Sequence, residues 1–424
     1  RNYRQLKALI ITYYWPPAGG SGVQRWLKFV KYLQDFGIEP IVYTVDNANY
    51  PKEDDSLISE IPKNITVLKN PIFEPTDVFF WKQKGVKKKD VANSTNNSLL
   101  SFIRGNFFIP DPKIFWVKSS VKFLQNYLKD HPIDVIISTG PPHSMHLIAQ
   151  KISKKNNIKW IADFRDPWTD LYYNNEFKQL SFAKEKNKKL EKSVLENANC
   201  VLTVSNSLKK DFLKTAKNVA VITNGFDSEV LQDENVVLDS KFTISYIGLL
   251  PKQSNPVVFF KVLKKLCDAN DEFKNDVQLL FVGDISSEVR LEIEKNNLAE
   301  ITQIKGYVPH KESIEFQKKA QVLLLLIPNV PKSAGILTGK LFEYITAKRP
   351  ILALGPENGD LAVILQNTNA GVVIDHQNEA KLSIEILRLY QQFKEGNLTV
   401  NSKNLAQFHR KNLTEQLASI IKNL

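Results

Sequence analysis

Short apolar runs alternate with helix-period segments along this chain, and the alternation occurs twice over. In the first half "ALIITYY" reads as a buried strand, "GVQRWLKFVKYLQDFG" as a helix closed by Gly37, and "EPIVYTVD" as a second strand. "IDVIISTG", "IKWIADF", "CVLTVS" and "VAVITNG" follow, each beside a helical segment. After Asn224-Gly225 and the acidic stretch "DSEVLQDENVVLDSK" the rhythm restarts with "FTISYIG", "VQLLFVG", "QVLLLLI", "PILALG" and "AGVVID". Helices such as "PVVFFKVLKKLCDA" and "KLSIEILRLYQQF" separate these strands. Strands apolar on both faces must be covered on both faces, and crossover helices that do so return the chain to the same sheet end, so the strands run parallel. The expected class is α/β, with two Rossmann-like, doubly wound parallel-sheet domains facing a cleft. The expected division is 1–228 for the N-terminal domain, 229–400 for the C-terminal domain, and 401–424 for C-terminal helices packing back toward the N-terminal domain. Residues 76–116, rich in Phe, Trp and Lys, interrupt the first rhythm and read as an insertion or lid.

The 424 residues are too many for one ordinary core, and 43% hydrophobic with 24% charged residues describes a globular chain. No apolar run approaches the roughly 18 residues of a spanning helix, and "RNYRQLKALIITYYWPP" does not read as a signal peptide. Cys200 and Cys267 suit buried thiols in a reducing compartment, so a cytoplasmic location is expected. The net charge of +12 admits nucleic acid, an anionic membrane surface or phosphorylated small molecules as partners. Much of it lies in "KQKGVKKK" and "KEKNKKLEK", which also read as ordinary solvated surface. No zinc ligand set, helix-turn-helix or RNP-like motif accompanies these lysines, which argues against nucleic acid.

Two loops carry the chemistry. "YYWPPAGGSGVQRWLKFVKYL" puts Gly19, Gly20 and Gly22 between the first strand and its helix, where a ligand can approach the backbone and the helix offers free N–H groups to an anion. The spacing of "GGSGVQ" is not G-x-G-x-x-G, so a nicotinamide dinucleotide is disfavoured and a plain Pro-Gly turn is the competing reading. "VLLLLIPNVPKSAGILTGKLFEYITAKRPILALG" ends a buried strand, turns through Gly335 and Gly339, and opens a helix around Thr338 to Lys340. Lys340 and Glu343, three residues apart, project from one helix face. A lysine there suits a diphosphate and the carboxylate two ribose hydroxyls; alternatively the two form an ordinary i,i+3 pair. The six histidines are scattered without H-x-x-x-H, C-x-x-C is absent, and no G-x-S-x-G elbow occurs, so neither a metal set nor a serine hydrolase is expected.

At these residues the chain resembles the GT-B glycosyltransferases, specifically the broad glycosyltransferase family 4 type of bacterial polysaccharide assembly. The first glycine loop, "IPDPKIFWVKSS", "DVIISTGPPHSMHLIAQKI", "WIADFRDPW", "VSNSLKKDFL", "VITNGFD" and "GKLFEYITAKRPILALG" match that type in order over nearly the whole chain. The resemblance implies that Glu343 holds the nucleotide ribose and that Lys340, with the amides around Thr338 and Gly339, holds the diphosphate. Gly248, Lys252, Gly335, Ile336, Leu337 and Leu341 would complete the donor site, and Gly19 and Gly20 would admit the donor phosphate or the acceptor. His143 would be the cleft histidine that contacts the donor sugar, and Asp163, Arg165 and Asp166 would line the acceptor side. The residues also permit plainer readings: His143 as an exposed first residue of a helix, His146 as a core residue, and "DFRDPW" as an ion-pair network fixing a turn.

The chain departs from the pattern where Gly335 stands for the first Glu of E-x7-E, where Leu249 stands for an Arg, and where Ser254 falls near an expected Lys that Lys252 could replace. The implied reaction moves a sugar from a nucleotide diphosphate, UDP or GDP first among them, with retention and with neither metal nor cofactor. The implied acceptor is a glycan or lipid-linked molecule, and "FFWKQKGVKKK" with "LLSFIRGNFFIP" would touch an anionic membrane at the inner face or else pack into the core. A nucleotide-sugar 2-epimerase and a non-catalytic sugar- or nucleotide-binding scaffold are the rival functions.

Overall fold

A computed structural model describes residues 5–48, 50, 53–73, 98–169, 179–227 and 236–424. The chain forms two units, Arg1–Thr223 with Arg410–Leu424, and Asn224–His409. The first is built on seven strands: β1 (Leu6–Ile11), β2 (Ile38–Val45), β3 (Thr66–Asn70), β4 (Val135–Gly140), β5 (Lys159–Phe164), β6 (Cys200–Thr203) and β7 (Val219–Val221). They pair in the order β3-β2-β1-β4-β5-β6-β7, every neighbour parallel. The second holds β8 (Phe242–Ile247), β9 (Val277–Val282), β10 (Thr302–Ile304), β11 (Val322–Leu326), β12 (Ile351–Leu354) and β13 (Gly371–Ile374). Their order is β10-β9-β8-β11-β12-β13, again all parallel. Both are the expected doubly wound sheets. In each, the winding reverses between the first strand and a later one, β1 beside β4 and β8 beside β11, and the loops leaving those strands are where open parallel sheets bind ligands.

The first crossover helix, Ser21–Leu33, starts at Gly20, whose φ of 108° suits glycine, and runs into a 3-10 turn closed by Gly37 at φ 76°. Val23, Trp26, Leu27, Val30 and Leu33 are buried, the i, i+3, i+4 spacing of a helix laid on a sheet. The C-terminal helix Arg410–Lys422 packs on this same helix and adds Leu413, Leu417, Ala418 and Ile421 to the first unit's core. The divisions fall at Thr223 and His409 rather than at residues 228 and 400. Packing sets them: Phe226 already belongs to the second unit's core, its N–H donates to the Phe408 carbonyl at 3.1 Å, and Phe408 lies 5.4 Å from Phe342.

The segment read as an insertion becomes regular at both its helix Ser98–Phe107 and its end, whereas residues 74–97 lie outside the described residues. Trp116 opens the helix Trp116–Tyr127, is buried, stacks on Tyr43 at 5.1 Å and donates from Nε1 to the Asn70 carbonyl at 3.2 Å. At that end Trp116 is therefore core and not lid, because its ring buries against β2, whereas Phe115 stays exposed.

Asp163, on β5, is fully buried and accepts hydrogen bonds from Arg25 Nη2 at 3.1 Å, Trp26 Nε1 at 2.7 Å and Thr139 Oγ1 at 2.9 Å. Arg25, itself buried, donates its Nη1 to the Thr223 carbonyl at 2.9 Å. One carboxylate thereby ties β5, β4 and the first helix together. Removing one partner of a buried pair strands the other charge, so Asp163→Ala is expected to lower stability by about 3–5 kcal/mol in urea unfolding followed by tryptophan fluorescence. A loss under about 1 kcal/mol would show the carboxylate to be dispensable.

Candidate active site

In the second unit, Gly248 follows β8 with φ 119°, and a Cβ there would overlap Cε of Lys340. The absence of a side chain lets Lys340 lie flat across the loop. Its Nζ donates to Tyr246 Oη at 2.5 Å and to the Leu249 carbonyl at 3.1 Å, and it stands 4.2 Å from the Tyr246 ring centroid. Burial lowers the Lys340 pKa to about 8, with Glu343 opposing the shift. The Leu249 side chain, which occupies the position of the expected Arg, is 65% exposed, so this residue serves the site through its backbone. Lys252 is exposed in the short 3-10 turn Lys252–Ser254, while Ser254 is buried.

Thr338 is the N-cap of the helix Gly339–Tyr344, and Gly335 is buried in the turn that precedes it. Leu341, Phe342 and Tyr344 are buried, and Tyr344 Oη accepts from the Ile247 N–H at 2.9 Å. This buried face locks the helix against the end of β8, which leaves Lys340 and Glu343 on the other face. Leu341, expected in the donor site, has its side chain in the core, so its backbone is what it can offer. Leu337 is nearly buried and Ile336 half-buried. Glu343 accepts from Gln317 Nε2 at 3.0 Å and lies 3.2 Å from His310 Nε2, partners that the sequence reading did not single out.

In the first unit, the glycine loop and the Gly140-Pro141-Pro142-His143 loop leave β1 and β4, the adjacent strands at which the winding reverses. Gly19 is half-buried, Gly20 is exposed, and a Cβ on Gly22 would overlap the Arg165 guanidinium. Arg165 donates from Nε to the Gly140 carbonyl at 3.1 Å and from Nη2 to the Pro141 carbonyl at 2.6 Å. Asp166 is exposed beside it. Asp163, expected on the acceptor side with them, is instead the buried structural carboxylate described above, and its ion partner is Arg25 and not Arg165.

His143 is buried, not exposed, and stacks on Trp168 with ring centroids 4.7 Å apart and planes 4° apart. Neither of its ring nitrogens has a protein partner, and burial, reinforced by His146 and Arg165, holds its pKa well below the usual histidine range. It is a neutral imidazole at neutral pH. His146 faces the core, with Nδ1 2.8 Å from Ser138 Oγ. The same hydroxyl oxygen accepts from Trp160 Nε1 at 2.8 Å, so Ser138 joins the indole and the imidazole in one buried chain. Asp111, from "IPDPKIFWVKSS", accepts from the N–H of Ser144 at 2.9 Å and from its hydroxyl at 2.8 Å, which fixes the start of the helix Ser144–Asn156 behind His143. Among the described residues no group of three His, Cys, Asp or Glu side chains is arranged to hold a metal ion.

Residues 20–230 match the Glycosyltransferase Family 4 model, and residues 227–400 match the Glycosyl transferases group 1 model. Among curated protein sequences no relative matches. The HepE protein (Alr3699) of Anabaena, solved in complex with UDP-glucose, is similar with a TM-score of 0.62 and 14% identity over 99% of this chain and 100% of that one. WaaG, a glycosyltransferase involved in lipopolysaccharide biosynthesis, gives 0.57 and 14% over 98% and 100%. The UDP-GlcNAc 2-epimerase of Methanocaldococcus jannaschii gives 0.53 and 13% over 99% and 100%. At such identities the likeness speaks for the fold. The two domain models, matched in order on two parallel-sheet units, add the lineage: the chain belongs to the GT-B glycosyltransferases of the family 4 type and is a glycosyltransferase.

Proposed function

We propose that the protein transfers a sugar from a nucleotide-diphosphate donor to a glycan or lipid-linked acceptor, with retention and without a metal ion. The observation that carries this reading is the placement of Lys340 and Glu343 three residues apart on the helix that Tyr344 locks against β8, with Lys340 laid over Gly248. Glu343 would receive the ribose hydroxyls and Lys340 the diphosphate. As the bond from the anomeric carbon to the phosphate oxygen breaks, its electron pair moves onto the leaving diphosphate, where the Lys340 cation stabilises it. The acceptor oxygen bonds to the anomeric carbon and its proton passes to the departing diphosphate oxygen, which has gained the electron pair. His143, neutral and with open ring nitrogens, would hydrogen-bond the donor sugar, while Arg165 and Asp166 would meet the acceptor. The HepE complex supports UDP as the nucleotide, with GDP as the alternative.

A 2-epimerase is the second reading, favoured by the fold shared with the M. jannaschii enzyme. Conversion of a nucleotide sugar without any acceptor would establish it. A scaffold would bind nucleotide without turnover.

Thermal-shift titration with UDP, GDP, ADP and CMP is expected to show stabilisation by a diphosphate, and Lys340→Ala and Glu343→Ala are each expected to weaken it about 10- to 100-fold. No stabilisation by any of the four would remove the donor reading. Because the Lys340 charge is lost as pH rises through about 8, diphosphate affinity is expected to fall above that pH in the native protein and to stay level in Lys340→Ala. An equal fall in both would assign the effect elsewhere.

Peripheral attachment at the cytoplasmic face of a membrane is part of the proposal. Ile103, Phe107, Leu180 and Phe182 are exposed at 36%, 61%, 44% and 50%, with Arg104, Lys184 and Lys186 beside them in sequence and also exposed. The rings of Phe107 and Phe182 lie 6.0 Å apart. The lysine-rich residues 79–89 lie outside the described residues, and among those described no helix is long and apolar enough to cross a membrane. Flotation with vesicles containing anionic lipid is expected to carry the protein, and neutral vesicles are not; indifference to lipid charge would end this part of the proposal.

A further inference from the structure

A glutamate that must accept from two neighbouring hydroxyls has to present both oxygens in a fixed plane, yet its side chain turns about several bonds. Glu343 is not left to turn. Gln317 Nε2 donates to Oε2 at 3.0 Å, and His310 Nε2 stands 3.2 Å from Oε1. Both partners come from the helix His310–Lys319, seven residues apart and so two turns along one face. Gln317 is 2% exposed and rigidly packed, whereas the His310 side chain is 55% exposed. An ionised carboxylate only accepts, so the imidazole must carry its proton on Nε2 to complete the pair.

We propose that His310 and Gln317 are positioning residues, which orient the Glu343 carboxylate for the vicinal hydroxyls of the nucleotide ribose and thereby set discrimination between ribose and deoxyribose. The inference rests on the reading of Glu343 as the ribose ligand. A carboxylate oxygen can accept more than one hydrogen bond, so the clamp and the ribose need not compete for the same lone pair. A positioning role makes a specific demand. Loss of the clamp must weaken a nucleotide that has both hydroxyls more than one that has lost the 2′-hydroxyl.

The test uses His310, whose exposure makes its substitution benign for folding. Dissociation constants are measured by calorimetry for UDP and 2′-deoxy-UDP, and for GDP and 2′-deoxy-GDP, on the full chain. His310→Ala is expected to reduce the preference for the ribonucleotide roughly three- to tenfold, with the deoxynucleotide affinity falling less than the ribonucleotide's, and His310→Gln, which keeps a donor, to restore part of it. Gln317→Ala is expected to act in the same direction. Equal weakening of both nucleotides would overturn the proposal, since His310 would then be a direct contact. If Glu343→Ala abolishes the preference while His310→Ala leaves it intact, the clamp is refuted and the ribose reading stands. If the native protein shows no preference and Glu343→Ala changes nothing, the ribose reading falls and takes the clamp with it.

Discussion

A carboxylate withdrawn from water must have its oxygens answered by donors, and in the first unit Asp163 meets that demand with Arg25, Trp26 and Thr139. The donors come from the first crossover helix and from β4, the strand that pairs with β1 where the winding reverses. Once that helix is pinned, its first turn falls beside the end of β5, and a side chain at Gly22 would have to displace the Arg165 guanidinium from the space it fills. Arg165 in turn is held by the carbonyls of Gly140 and Pro141, in the loop that carries His143. One buried ion pair thus sets the geometry of both strand-end loops of this unit.

The second unit solves a similar problem by steric means. Gly248 leaves a trough for the stem of Lys340, and the Tyr246 ring and the Leu249 carbonyl receive its charge. The same enclosure that positions the ammonium lowers its pKa, since a cation loses hydration there faster than a tyrosine face and one carbonyl can replace it. The site therefore holds its lysine fixed but only partly satisfied, a state that an arriving anion improves. Leu249 contributes its carbonyl to the Lys340 ammonium while its side chain goes to solvent.

Much of this was readable from residue order. The helix closed by Gly37, the helix opening at Thr338 and the common face of Lys340 and Glu343 all follow from periodicity and end signals that act over a few residues. "DFRDPW" misled because its charges sit side by side in the chain, which suggests mutual pairing. Asp163 instead pairs with Arg25, 138 residues away, and is buried while Asp166 remains exposed. His310 and Gln317 escaped for the same reason, lying 33 and 26 residues before the glutamate they hold. A histidine and a glutamine seven apart on a polar helix give no sign in sequence that they share a partner.

The amino-acid sequence by itself determined the two parallel sheets, the glycines at their strand ends and the lineage of the chain, because hydrophobic period and backbone permissiveness are local properties. Only the tertiary structure decided which charges are buried, where the units divide, and which donors face Glu343 and Asp163. Those outcomes depend on side chains brought together across crossovers, and a pairing energy in a desolvated interior exists only once packing has removed the water.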